Sequence, residues 1–248
     1  MTLKEKLSKG KTVIGTWCEI PSPEVINILA KSGLDFIIID MEHGAMDFRM
    51  ASQMIIAAEV DGCSSLIRVP RNDESDILRA LDIGVSGVVV PHIESVEDRN
   101  KAIKHLKFPP VGNRSLNPYT RAGSYQSSKD YTKIQNEQTL SILIIEGKNG
   151  INQLDKILDN PYVDVIYIGT YDLSLALGIP GDTKNELIVG TLKNIVKKIT
   201  KKKKIAGCLF HDKEEFIFFK KLGIQFLCYK TDTSVIFDKF NQIVKINH

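Results

Sequence analysis

The chain has little that would take it to a membrane, to nucleic acid or into an oxidising compartment. No apolar run approaches the roughly 18–20 residues that span a bilayer, and the opening MTLKEKLSKG does not resemble a signal peptide. A net charge of +3 over 248 residues is too slight for nucleic-acid binding. The positive excess gathers in the lysine run at 197–204, which reads as a solvated helix end. Cys18, Cys63, Cys208 and Cys228 show no CxxC spacing and three of them sit in apolar runs, so they read as reduced, buried thiols of a cytoplasmic protein. Neither GxGxxG nor GxxxxGK[ST] opens any helix-like segment, which leaves nucleotide-phosphate binding without support. Linker composition is missing too, so one domain over 1–248 is expected.

What is present is a strict alternation. The runs TVIGTWCEI, DFIIIDMEHG, SSLIRVP, GVVVPHI, SILIIEG, VDVIYIGTYDLS, KIAGCLF and IQFLCYK read as strands, short and rich in β-branched residues. Helical patterns follow them: PEVINILAKSG, then 48–60, 74–81, 96–106, 151–158, 185–201, 214–222 and 235–244. Unbroken apolar strands are buried on both faces, as in a parallel sheet. Eight strand–helix units point to an α/β fold, a single (β/α)8 TIM barrel, with an open doubly wound sheet as the rival. One interruption, 108–138, is rich in Pro, Gly, Ser, Asn and Tyr. It is longer than a βα connection needs, and such loops are usually functional.

In a barrel the residues at and just beyond each strand converge on one mouth. Here they are Glu19, the Asp40, Glu42, His43 cluster, Arg68, His92, Glu146, Asp172, His211, and Lys230 with Asp232. Glu146 and Asp172 each follow an apolar run at consecutive strand ends. Either alone could be a helix cap, but as a pair they suit a hard divalent cation with open positions for water and a chelating substrate. Arg68, inside a strand, would pair a rim acid or face an enolate or carboxylate. His43, beside two acids, is the natural proton shuttle. His92 and His211 are isolated loop histidines and weaker candidates, while His105 is placed on the exposed part of a helix and His248 is terminal. Lys230 could form a Schiff base and dispense with a metal, a reading the acid pair opposes.

Taken together these residues resemble the metal-dependent pyruvate aldolases of the HpcH/HpaI family. The likeness runs through IGTWCEIPSPEVINILAKSGLDFIIIDMEHG, LIRVP, LRALDIGVSGVVVP, PPVGNRS followed by TRAG, LIIEG, IGTYDLS and TDTS. The resemblance implies a β/α barrel with a divalent metal, Mg²⁺ or Mn²⁺ with Co²⁺ a further option, on Glu146 and Asp172. Pyruvate would chelate it, the backbone around Gly169, Thr170, Tyr171 and Asp172 would hold the carboxylate, and Asp40 joins the substrate-binding set. Arg68 would stabilise the enolate, and His43 and Asp82 would form a proton-transfer dyad. Asp82 falls before strand four, at the end of the barrel away from the mouth. It would therefore come from a neighbouring subunit of a homo-oligomer, a hexamer in the family. Ile144, Thr170, Ser115 and Lys230 depart from the family pattern, which bears on the second substrate.

The reaction so implied cleaves or forms a 4-hydroxy-2-oxo acid, with pyruvate and an aldehyde as the small-molecule partners. Oxaloacetate decarboxylation or condensation onto another acceptor is the alternative on the same scaffold. A barrel that only binds a keto acid is the third reading, disfavoured by the full charged set.

Overall fold

Apolar runs of four to six residues become strands here because each is covered on both faces, inside by its barrel neighbours and outside by helices. The computed structural model describes residues 1–247, so His248 lies outside the described residues. β1 (Val13–Cys18), β2 (Phe36–Asp40), β3 (Ser64–Arg68), β4 (Gly87–Val90), β5 (Leu140–Ile145), β6 (Val165–Ile168), β7 (Ile205–Phe210) and β8 (Phe226–Thr231) pair in chain order. Every pairing is parallel, and β8 returns to β1 to close the barrel. The (β/α)8 expectation holds and the open sheet does not.

The helices alternate with the strands. α1 (Leu3–Ser8) plugs the bottom with Leu3 and Leu7, which pack into the barrel interior. α2 (Pro23–Lys31), α3 (Phe48–Glu59), α4 (Glu74–Asp82) and α5 (Val96–Leu106) begin at the side-chain caps Ser22, Asp47, Asp73 and Ser95. After α6 (Tyr131–Gln138), the 151–158 helix divides into α7 (Lys148–Asn152) and α8 (Leu154–Ile157). α9 (Thr170–Ala176), α10 (Glu186–Lys201), α11 (Lys213–Leu222) and α12 (Asp232–Val244) complete the order, and the lysine run is indeed the end of a helix.

Strand alternation sorts the core into two layers. Trp17, Ile38, Leu66, Ile144, Tyr167 and Cys228 belong to the cluster that fills the barrel. Ile37, Ile39, Ile67, Ile145 and Ile168 belong to the cluster beneath the helices. Two residues beyond an inward position is inward again, one layer nearer the mouth. That parity carries Asp40, Arg68 and Glu146 above Ile38, Leu66 and Ile144.

Three expectations need correction. The 108–138 segment follows α5 and precedes β5, so it is an αβ connection at the floor of the barrel rather than a βα loop at the mouth. It also has structure of its own, a 3₁₀ turn at Arg121–Gly123 and α6. His105 is buried, because α5 packs it beside Glu74 of α4, with Nδ1 3.9 Å from that carboxylate. VDVIYIGTYDLS is not strand to its end: β6 stops at Ile168 and Asp172 lies in the first turn of α9. The four cysteines are free and buried, as expected.

Candidate active site

A cavity of about 190 Å³ opens at the mouth, lined by Trp17, Glu19, Asp40, His43, Arg68, Ile144, Glu146, Tyr167, Thr170, Tyr171 and Asp172 among others. Glu146 and Asp172, read from adjacent strand units, thus face one space. Gly169 makes this approach feasible: a β-carbon there would come 2.9 Å from Glu146 Oε2. The floor is Trp17 against Tyr167, the indole N–H donating to the phenol oxygen at 2.9 Å.

A chain of charges runs along one side. Arg68 donates through Nε to Asp40 Oδ1 at 2.8 Å and through Nη2 to Oδ2, while Nη1 lies 2.9 Å from Glu42. Its guanidinium also stacks 4.5 Å from the Trp17 ring centroid. Burial pulls the Arg68 pKa down, but the Asp40 hydrogen bond and the charges of Asp40 and Glu42 outweigh it and leave the pKa raised. A guanidinium has five N–H donors. Three are directed at these acids, which leaves two for a ligand in the cavity.

Glu42 continues the chain to His92, with Nε2 2.8 Å from Glu42 Oε1 and Nδ1 2.8 Å from Glu146 Oε1. The His92 backbone N–H also donates to Glu146 Oε1, at 3.1 Å. His92 takes a left-handed conformation, φ +55°, to reach both acids. By sequence alone it is a weak candidate, an isolated loop histidine. The signal available was its place directly after Pro91 at a strand end, between two acids that parity puts at the mouth.

Burial raises the Glu146 pKa; His92 opposes it, and the charges of Asp172 and Glu42 add to it. A buried acid pushed up first by its burial and further by acidic neighbours is a site that a cation would relieve. Among the described residues no group of three or more His, Cys, Asp or Glu converges as a ready-made cage. The protein therefore offers two hard oxygen donors, Glu146 and Asp172. This fits a Mg²⁺-like ion that retains waters and takes further oxygens from its substrate.

Other sequence candidates fall into place or apart. His43 is exposed at the rim, its N–H donating to Asp40 Oδ1 at 3.3 Å. Asp82 does not line this cavity; as the last residue of α4 it pairs with Arg114, 2.9 Å away, at the end of the barrel opposite the mouth. A single protomer does not bring the dyad together. Lys230 misses the cavity as well: Gly15 pairs with Cys228 but Trp17 with Thr231, so β8 carries one extra residue. That bulge, with Lys230 at φ +46°, sends the amine to Asp238 at 2.6 Å and leaves Thr231 facing the mouth. A Schiff-base lysine is thereby lost. Asp232 is structural, capping the N–H groups of Glu19 and Ile20. Ile144, one of the departures from the family pattern, is an apolar wall of the cavity.

The family model described as HpcH/HpaI aldolase/citrate lyase matches residues 13–233. A hydroxypyruvate/pyruvate aldolase of Roseobacter denitrificans is 32% identical over 212 residues, 85% of this chain and 83% of the relative. The crystal structure of an HpcH/HpaI aldolase from Desulfitobacterium hafniense superposes with a TM-score of 0.94 at 28% identity, covering 99% of this chain and 96% of that one. The citrate synthase SbnG gives 0.91 at 29%, covering 99% and 97%. No helix among the described residues is long and apolar enough to cross a membrane. The chain belongs to the HpcH/HpaI aldolase/citrate lyase family of carbon–carbon bond enzymes.

Proposed function

We propose that the protein is a divalent-metal-dependent aldolase that cleaves, and in reverse forms, a 4-hydroxy-2-oxo acid through the enolate of pyruvate. The observation that carries this is the meeting of Glu146, Asp172 and Arg68 in one cavity. Glu146 and Asp172 would hold the ion, Mg²⁺ or Mn²⁺ in preference to Co²⁺ on the hardness of their oxygens. When bound, the ion supplies Lewis-acid polarisation of the keto group.

The rest falls to side chains and backbone. First-turn N–H groups of a helix have no intrahelical partner, so the amides of Thr170, Tyr171 and Asp172 are available to the substrate carboxylate. Arg68, clamped by Asp40, directs its two remaining donors at the oxygen on which enolate charge develops. A preorganised donor of this kind contributes about 3–4 kcal/mol to such a step. His43 at the rim takes the C4 hydroxyl proton, directly or through water. An Asp82 partner for His43 would have to come from another subunit. The assembly this requires is supported by the apolar exposed face of α12, where Ile236, Phe237, Phe240 and Val244 line a shallow groove with Ile20. We take a second copy of the chain as its cover, in a homo-oligomer that the family resemblance makes a hexamer.

The test is exchange of the pyruvate C3 protons into D₂O, which needs no choice of aldehyde. Exchange should be abolished by EDTA, restored by Mg²⁺ or Mn²⁺, and lost in Glu146→Gln and Asp172→Asn. An EDTA-insensitive rate would sink the proposal. The likeness to citrate synthase SbnG favours a second reading, condensation onto or decarboxylation of a keto acid such as oxaloacetate. Product analysis with oxaloacetate separates the two.

A further inference from the structure

Three side chains at the rim stand apart from this machinery and join elements far apart in sequence. Tyr171 lies in the first turn of α9, His211 directly follows β7, and Glu215 is in the first turn of α11. The Tyr171 hydroxyl is 2.9 Å from His211 Nε2. His211 Nδ1 is in turn 2.9 Å from Glu215 Oε2, which also accepts the His211 backbone N–H at 2.7 Å. The Tyr171 and His211 rings meet edge-on, centroids 5.9 Å apart. Glu215 is itself held, with its N–H donating to Asp212 at 2.8 Å and Lys184 3.5 Å from its other oxygen.

The placement of this relay is informative. Tyr171 lines the 190 Å³ cavity that holds Glu146 and Asp172. His211 and Glu215 line a second cavity of about 360 Å³ between α10 and α11, walled by Ile188, Leu192 and Phe219. The two cavities share Thr170 and Leu209, so the Tyr171–His211 contact stands where they adjoin.

The direction of the hydrogen bonds follows from the groups. A carboxylate only accepts, so Nδ1 carries a proton toward Glu215, and in the imidazole holding that one ring proton Nε2 is bare. Nε2 then accepts the Tyr171 O–H. With its proton committed, the phenol oxygen of this cavity-lining residue keeps its lone pairs free, and the group complementary to them is a hydroxyl donor. Pyruvate carries none. The second substrate is therefore what this oxygen reads.

We infer that Tyr171, positioned by His211 and Glu215, selects the acceptor aldehyde by accepting a hydrogen bond from a hydroxyl beside its carbonyl, so that the preferred acceptor is a hydroxyaldehyde rather than an alkyl aldehyde. The inference rests on the pyruvate aldolase reading. Tyr171 acts on the substrate; His211 and Glu215 are positioning residues.

Glycolaldehyde and acetaldehyde, which differ only in that hydroxyl, make the test. Each is condensed with pyruvate by the wild type, Tyr171→Phe and His211→Ala, and the ratio of the two kcat/KM values is compared between proteins, which cancels intrinsic reactivity. Tyr171 is 52% exposed, so its substitution should leave folding intact. The glycolaldehyde-to-acetaldehyde ratio should fall on the order of tenfold in both variants, the worth of one hydrogen bond to a substrate hydroxyl. A ratio equal to wild type in Tyr171→Phe overturns the inference, as does an equal loss with both aldehydes, the mark of a merely structural role. Wild-type C3 proton exchange is measured alongside. Its absence overturns the aldolase reading and the inference with it, whereas exchange with unmoved ratios overturns the inference alone.

Discussion

Removing the His92 ring should weaken metal binding without loosening the barrel. The side chain is 66% exposed, so its loss leaves no buried cavity, and what disappears is the 2.8 Å contact from Nδ1 to Glu146 Oε1 and the link to Glu42. The backbone N–H would still donate to the same oxygen, so Glu146 keeps one of its two restraints. Groups that orient a ligating carboxylate in this way are worth about 10–100-fold in metal affinity, or roughly 1.4–2.8 kcal/mol. His92→Ala keeps the left-handed backbone that a Cβ makes unfavourable, whereas His92→Gly relieves it. Both variants should lose Mn²⁺ affinity equally, read by titration calorimetry or by the free-Mn²⁺ resonance. In urea denaturation of the metal-free proteins, Gly should be more stable than Ala by about 1 kcal/mol. Wild-type Mn²⁺ affinity in His92→Ala would refute the argument that this ring aims Glu146.

Other consequences can be measured independently. Lys107 is almost fully buried, donates to the carbonyls of Asn136 and Thr139, and has its pKa pulled by burial from 10.5 to about 8. Between pH 8 and 10.5 the unfolded chain holds this proton and the folded one does not. Stability should therefore rise with pH through that window, by up to about 3 kcal/mol, and the rise should be missing from Lys107→Met; parallel pH curves for the two proteins in urea would contradict it. Asp82→Asn strands the buried Arg114 and should cost about 3 kcal/mol, part of it recovered in the double variant with Arg114→Met. A thermally neutral Asp82→Asn that still abolishes aldol cleavage would instead favour a purely catalytic, intersubunit role. Phe237→Ser with Phe240→Ser should lower the sedimenting mass while changing monomer stability by only about 0.5 kcal/mol; a monomeric wild type would dispose of the proposed assembly.

The amino-acid sequence by itself determined the barrel and most of its rim. Alternating apolar runs and capped helices are local patterns, and period-two parity along a strand is enough to lift Asp40, Arg68 and Glu146 to one mouth above Ile38, Leu66 and Ile144. It also determined the family, whose motifs lie in order along the chain. Only the tertiary structure decided how those charges are shared. Glu42 and Glu146 are 104 positions apart, yet His92 bridges them because β2, β4 and β5 close into one wall, a long-range fact that no local pattern encodes. The same holds for the extra residue in β8, which turns Lys230 toward Asp238, and for the 108–138 segment, whose composition set it apart but did not say at which end of the barrel it lies. Residue type and spacing say which groups a mouth can contain. Which of them touch depends on strand register and backbone conformation, and these are settled when the sheet closes on itself.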